Sequence, residues 1–145
     1  MNKAQQKLVH YGNLIAAVVR GMEAEQEALN PKFEQLRTAI DADKLADIAE
    51  ADYAATKAAF AEGTAMYQQQ LDSLTAADAP ARLMGNHKLL VAAYTDFVAG
   101  CQAMTDSLGK DKASLDVAAF NAAEQAQDAA TEQIMKHLQR VSQLA

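Results

Sequence analysis

An all-α, antiparallel up-down-up-down four-helix bundle is the fold that this chain of 145 residues predicts. Three observations predict it. The composition is that of strong helix formers, with 33 alanines and few β-branched or aromatic residues. Two prolines and six glycines give little punctuation, so the segments are long. Apolar residues recur at alternating three- and four-residue spacings, the period of one helix face. Runs of alternating Val, Ile and Thr, which would announce a sheet, are missing. A hydrophobic content of 50% with a net charge of −6 argues against disorder. The length suits a single domain over 1–145.

The first helix carries Leu8, Tyr11, Ile15, Val18, Met22, Gln26, Leu29, Phe33, Leu36 and Ile40, with a stutter after Met22. Pro31 falls inside this run and leaves the helix kinked or broken there; matching its length to the second helix favours the kink. Asp41 and Asp43 are N-cap candidates for the second helix, which runs to about Leu74 with Leu45, Ile48, Tyr53, Phe60, Tyr67 and Leu71 on its stripe. Asp78 is expected to cap the third helix, with Pro80 in its first turn. That helix reads Leu83, His87, Leu90, Tyr94, Phe97, Cys101, Met104, Leu108, and Gly109 suits its C-terminal stop. Ser114 is expected to cap the fourth, whose stripe is Val117, Phe120, Ala123, Gln127, Ala130, Ile134, Leu138 and Val141. Similar lengths and short connections make the helices antiparallel neighbours.

Catalytic and metal signatures are sparse. A di-iron bundle needs Glu-x-x-His pairs, but Lys7, Met84 and Ile134 stand three residues before His10, His87 and His137. No Cys-x-x-Cys, His-Glu-x-x-His or phosphate-binding Gly-rich loop occurs. Cys101, the only cysteine, lies on the core stripe, where a thiol behaves as a small hydrophobe. The expectation is therefore no enzyme, no metal and no cofactor. The polar residues that fall on core seams are the candidates for a polar core or pocket: Tyr11, Tyr67, His87 and Gln127. His87 is expected to be buried and to meet Tyr11 or Tyr67. Glu124, Gln127 and Thr131 interrupt the fourth stripe, as a half-exposed seam or as a wet cleft.

An acidic pI near 4.9 argues against nonspecific binding to nucleic acid or anionic membranes. The longest apolar stretch, Leu14 to Val19, is far too short for a transmembrane segment. The expected location is the cytoplasm; the alternative is an extracytoplasmic domain whose leader has been removed. The third helix's outer face is small and uncharged, with Ala92, Ala93, Ala99, Gly100 and Ala103, and suits close approach of another helix.

The runs Ala79-Pro80-Ala81-Arg82-Leu83, His87-Lys88-Leu89-Leu90 and Tyr94-Thr95-Asp96-Phe97-Val98 add a resemblance, as does Asp116 to Phe120-Asn121 with the Ala/Gln-rich segment after it. These resemble uncharacterised helical-bundle proteins of Gram-positive bacteria, some of them lipoprotein-like. The resemblance spans about half of the chain and implies no activity and no functional residues. The function expected is thus a non-enzymatic protein-interaction or structural bundle, with an unknown protein partner or a homodimer. A small-molecule or lipid-binding bundle with a pocket along the core seam is the alternative.

Overall fold

The computed structural model describes residues 2–145. Four α-helices carry the chain: α1 (Lys3–Asp41), α2 (Glu50–Ala76), α3 (Met84–Ser107) and α4 (Val117–Leu144). Short 3-10 turns at Leu45–Asp47, Ala81–Leu83 and Lys112–Ser114 lie in the connections. Helix α1 has 39 residues, so it is about 58 Å long. It runs through Pro31 without interruption, so the broken alternative is ruled out. Glu27, whose carbonyl loses its usual N–H partner, and Pro31 are both exposed, and water can take that hydrogen bond.

The helix ends differ from the sequence expectation at all three connections. Asp41 belongs to α1, and Asp43 turns the chain with a left-handed φ of 54°, which aspartate tolerates; neither caps α2, whose N-cap is Ala49. The Leu45–Asp47 turn is held by Lys112 across the bundle end: its Nζ donates to the carbonyls of Ala46 (2.7 Å) and Ile48. Asp78 makes no cap, because Pro80 leads into the 3-10 turn and α3 starts at Met84. Asp116, not Ser114, caps α4 by accepting from the Ala119 N–H at 3.0 Å. Gly109 is not in the left-handed region. It is needed because a Cβ there would come within 2.7 Å of Ser114 backbone.

Side-chain contacts fix which levels meet. Gln70 lies against Gly21, and Leu29 and Glu25 against Gly63, between α1 and α2. Tyr94 donates to Gln70, and the Tyr67 ring packs edge-on to Phe97 at 4.9 Å, between α2 and α3. Between α3 and α4, Asn86 meets His137 and Gly100 meets Gln127. The α3–α4 pair packs most closely, while the backbones of α1 and α4 stay apart.

The apolar interior divides into two clusters. One gathers Tyr11, Ile15, Val18, Tyr67, Leu74, Leu90, Phe97 and Ile134 with their neighbours. The other gathers Leu36, Tyr53, Phe60, Met104, Leu115 and Phe120. On α4 the inward face departs from the expected stripe at two places. Val117 is exposed, and His137 is buried beside a half-buried Leu138. Asn86 accommodates the histidine: its amide donates to the His137 carbonyl (2.9 Å), and its Oδ1 faces Nδ1 at 3.0 Å.

Two predictions follow from this packing. Gly12 and Gly100 both lie inside helices, where Ala is better than Gly by about 1 kcal/mol. A Cβ at Gly12 meets nothing within 4 Å, whereas at Gly100 it falls 2.9 Å from Gln127 Cγ and 3.3 Å from the Gln127 backbone nitrogen. Gly12→Ala should therefore raise stability by about 0.5–1 kcal/mol, and Gly100→Ala should lower it by about 1–2 kcal/mol as α4 is forced away. Urea unfolding of the two variants checks the opposite signs.

Burial, and then the charges of Lys136 and Arg140, lower the His137 pKa. The unfolded chain then binds the proton more readily than the native one. Its stability contribution is full above the unfolded value of about 6.5 and is lost as pH falls toward the folded value. Urea midpoints measured from about pH 7.5 down to pH 5 should fall less steeply in His137→Gln than in the native chain. Equal slopes would refute it.

Candidate functional site

Where the two core clusters meet, the seam between α1 and α4 is not filled. A cleft of about 490 Å³ opens there, within the range of small-molecule sites. Its floor comes from both clusters: Phe60 and Met104 from one, Tyr67, Phe97 and Cys101 from the other. Its walls are Gln26, Glu27, Leu29, Asn30 and Phe33 of α1, facing Glu124, Gln127, Asp128 and Thr131 of α4. The physical cause lies in the sequence. The stutter after Met22 brings polar residues onto the inner edge of α1, at the level where α4 carries its own polar interruption. On α1, Leu29 packs against Gly63 of α2 and Phe33 stacks on Phe120 at one end, and α4 brings only Glu124, Gln127, Asp128 and Thr131 to the cleft, so no large apolar side chain spans its middle.

The second cluster closes one end of the cleft. Phe33 stacks on Phe120 with ring centres 6.0 Å apart, and the Arg37 guanidinium lies 5.2 Å over the Phe120 ring. Arg37 Nη1 donates to Glu124 (2.7 Å) and Asn121 (2.9 Å), and Nη2 donates to Asp41 (2.8 Å). Hydrogen bonding to Asp41 first, then to Glu124, raises its pKa, so this arginine is a fixed charge already matched by carboxylates.

Inside the cleft some donors are committed and others free: the side chains of Gln26, Asn30 and Thr131 make no hydrogen bond among the described residues, whereas three others turn to the main chain. Thr64 Oγ1 donates to the Phe60 carbonyl (2.8 Å), and Thr105 Oγ1 donates to the Cys101 carbonyl (3.0 Å). Gln127 Nε2 donates to the Gly100 carbonyl (3.0 Å) and points at Met104 Sδ. These donors are turned to α2 and α3, Thr64 Oγ1 and Thr105 Oγ1 lie 3.2 Å from each other, and Gln127 Oε1 is left as an acceptor. Three carboxylates line the rim and no basic residue does.

Tyr67 is the exception. It is only 3% exposed, and its hydroxyl has no hydrogen-bond partner among the described residues. Among the described residues no sealed polar side-chain atom is left unpartnered, so this hydroxyl is not sealed off, and Tyr67 lines the cleft. Burial, with smaller contributions from Cys101 and Glu25, raises its pKa, so it stays a phenol. Burial also pushes the Cys101 thiol up to about 12, which leaves it without nucleophilic thiolate at neutral pH.

The four residues singled out from the sequence form two separate pairs. Tyr67 and Gln127 both line the cleft. Tyr11 and His87 meet elsewhere, with Oη 2.8 Å from Nδ1 and the rings edge-on at 5.3 Å. Burial raises the Tyr11 pKa, so its side chain stays a phenol, and the hydrogen bond to Nδ1 runs in the direction that the imidazole tautomer sets. Tyr67 is not the partner of His87. The sequence reading missed Arg37, Thr64, Thr105 and the acidic rim residues Glu27 and Asp128. The signal for Glu27 was its place beside Gln26 at the stutter; the others carry none, since their roles come from helix register. Among the described residues, no three His, Cys, Asp or Glu side chains gather as a metal site, and no helix is long and apolar enough to cross a membrane.

The Tyr11–His87 bond is buried, so each partner left alone is penalised. Tyr11→Phe and His87→Leu should each lose about 1–3 kcal/mol. The double variant should lose clearly less than the sum, by about 0.5 kcal/mol or more. Strict additivity in chemical denaturation would mean that the two side chains act independently. Comparisons with protein-family models, with curated proteins and with solved structures find no match to this chain.

Proposed function

We propose that this chain is a non-catalytic binding bundle whose α1–α4 cleft takes a small organic molecule. The observation that carries this reading is a cleft of about 490 Å³ with an aromatic floor and a polar rim, lined by Tyr67, a buried residue whose hydroxyl is left unsealed and without a partner among the described residues. Binding rather than catalysis is favoured because Cys101 is held as a thiol and no histidine lines the cleft. The up-down-up-down arrangement, with α1 kinked at Pro31, belongs to the same reading. It is supported by paired levels such as Gly21 with Gln70 and Asn86 with His137. The cytoplasm is the proposed compartment, where the free thiol of Cys101 would stay reduced. Kinship with the helical-bundle proteins of Gram-positive bacteria is likewise part of the proposal.

A second reading, a protein-interaction or structural module, is favoured by one feature. Along the outer side of α3 and α4 runs a shallow groove of about 680 Å³, lined by Ala99, Ala103, Ala119, Ala122, Ala126 and Ala129 among others. Small side chains on both helices would let a further helix, from a partner or a second copy, approach closely.

One pair of measurements separates the readings. Asn30→Leu with Thr131→Leu fills the cleft mouth and should raise stability by about 1 kcal/mol. Ligand-observed NMR with a mixture of small aromatic fragments should give hits with the native chain and none with this variant. Absence of hits, together with a concentration-dependent dimer in native mass spectrometry that Ala122→Glu abolishes, would replace the first reading with the second.

A further inference from the structure

We infer that the ligand of the α1–α4 cleft is a hydrophobic organic cation, a molecule with a flat apolar body and a protonated amine. The inference rests on the binding reading above and adds the ligand's charge and shape. Glu27, Glu124 and Asp128 line the cleft, and no Lys, Arg or His does. The nearest guanidinium, Arg37, is engaged by Asp41, Asn121 and Glu124 and cannot serve a ligand carboxylate without breaking those bonds. Glu27 and Asp128 form no ion pair among the described residues, so two of the three rim charges are unneutralised.

The inner surface agrees with the rim. The hydroxyl protons of Thr64 and Thr105 and the Gln127 amide are committed to main-chain carbonyls, so these groups present acceptors. An ammonium group is a donor three times over and accepts nothing, the complement of such a lining. Phe33, Phe60, Tyr67 and Phe97 supply aromatic surface for the apolar body and for cation–π contact. The Tyr67 hydroxyl oxygen, unsealed at the cleft floor, offers an acceptor. A ligand carboxylate or phosphate would meet the unneutralised charges of Glu27 and Asp128, with only the neutral amides of Gln26 and Asn30 and the hydroxyls of Thr131 and Tyr67 as donors set against them. The net charge of −6 steers a cation toward the chain and an anion away.

Three probes of one shape and different charge test this: naphthylethylamine, naphthylethanol and naphthylacetate, titrated into the full chain at neutral pH and low salt. The amine should bind at least about tenfold more tightly than the acetate, with the alcohol between them. Salt should erode the amine's advantage, since the rim carboxylates are partly screened. Glu27→Gln with Asp128→Asn should bring the amine's Kd to that of the alcohol and leave the alcohol unchanged. Tyr67→Phe should weaken the amine several-fold while thermal unfolding shows the variant folded. Acetate binding as tightly as the amine, and blocked by Asn30→Leu with Thr131→Leu, would overturn the cationic ligand and leave the cleft reading standing. No binding by any of the three would overturn both.

Discussion

The contact on which the rest of this structure depends is the close approach of α4 to α3 at Gly100. With no Cβ there, the Gln127 side chain and backbone settle directly against α3, and the buried alanines Ala93, Ala123 and Ala130 continue the same seam. Two helices that pack through small residues gain dispersion contact over their whole length but consume little side-chain volume. A fourth helix drawn toward the third is drawn away from the first. Helix α1 then reaches α4 only where long side chains span the distance: Ile15 and its neighbours with Ile134 at one end, Phe33 and Arg37 with Phe120 and Glu124 at the other. The space between those two bridges is the cleft, and the split of the core into two clusters is the same fact seen from inside.

That arrangement explains how polar residues occupy positions where a bundle ordinarily carries leucine. At mid-height, Gln26, Asn30, Glu124 and Thr131 border open space, so their polar groups keep access to water and desolvation is small. Away from the cleft, four large polar side chains on core positions are matched, while the small hydroxyl of Thr56 makes no hydrogen bond among the described residues. His87 has Tyr11, His137 has Asn86, Tyr94 has Gln70, and Tyr53 donates to the Gly109 carbonyl at 2.8 Å. Tyr67 breaks the pattern. A phenol buried to this depth normally finds a partner within the fold, and this one faces the cleft instead.

The sequence made the helices and their inner faces legible, because periodicity depends only on local chain geometry. It placed Tyr11, His87, Tyr67 and Phe97 correctly on inner stripes, and it marked both polar interruptions, at Gln26 and at Glu124 to Thr131. It could not show that these interruptions face each other, since the relative height of α1 and α4 depends on three connections whose lengths and turns were misjudged. Asp43 in a left-handed conformation and the 3-10 turns in the connections delay the starts of α2 and α3 by several residues and that of α4 by two. For the same reason the sequence leaves the partner of His87 open between two tyrosines. Between Ile134 and Val141, both buried as expected, His137 and Leu138 compete for one inner position, and apolarity favours Leu138 in the sequence while the structure buries His137.

The electrostatics of the cleft follow from where the one nearby cation is fixed. Arg37 could in principle neutralise any of the rim carboxylates. It is held instead by Asp41, one turn along its own helix, and by Asn121 and Glu124 across the seam, with its face on Phe120. A planar guanidinium bound on several edges and stacked on a ring has little freedom to swing toward Glu27 or Asp128. Glu124 is thereby neutralised at the closed end, and the remaining negative charge is concentrated at the mouth. The bridge that holds α1 to α4 is therefore also what leaves the mouth acidic. Its packing role and the charge of the cleft cannot be changed independently: an arginine released from Glu124 to serve the mouth would also loosen the wall that gives the cleft its end.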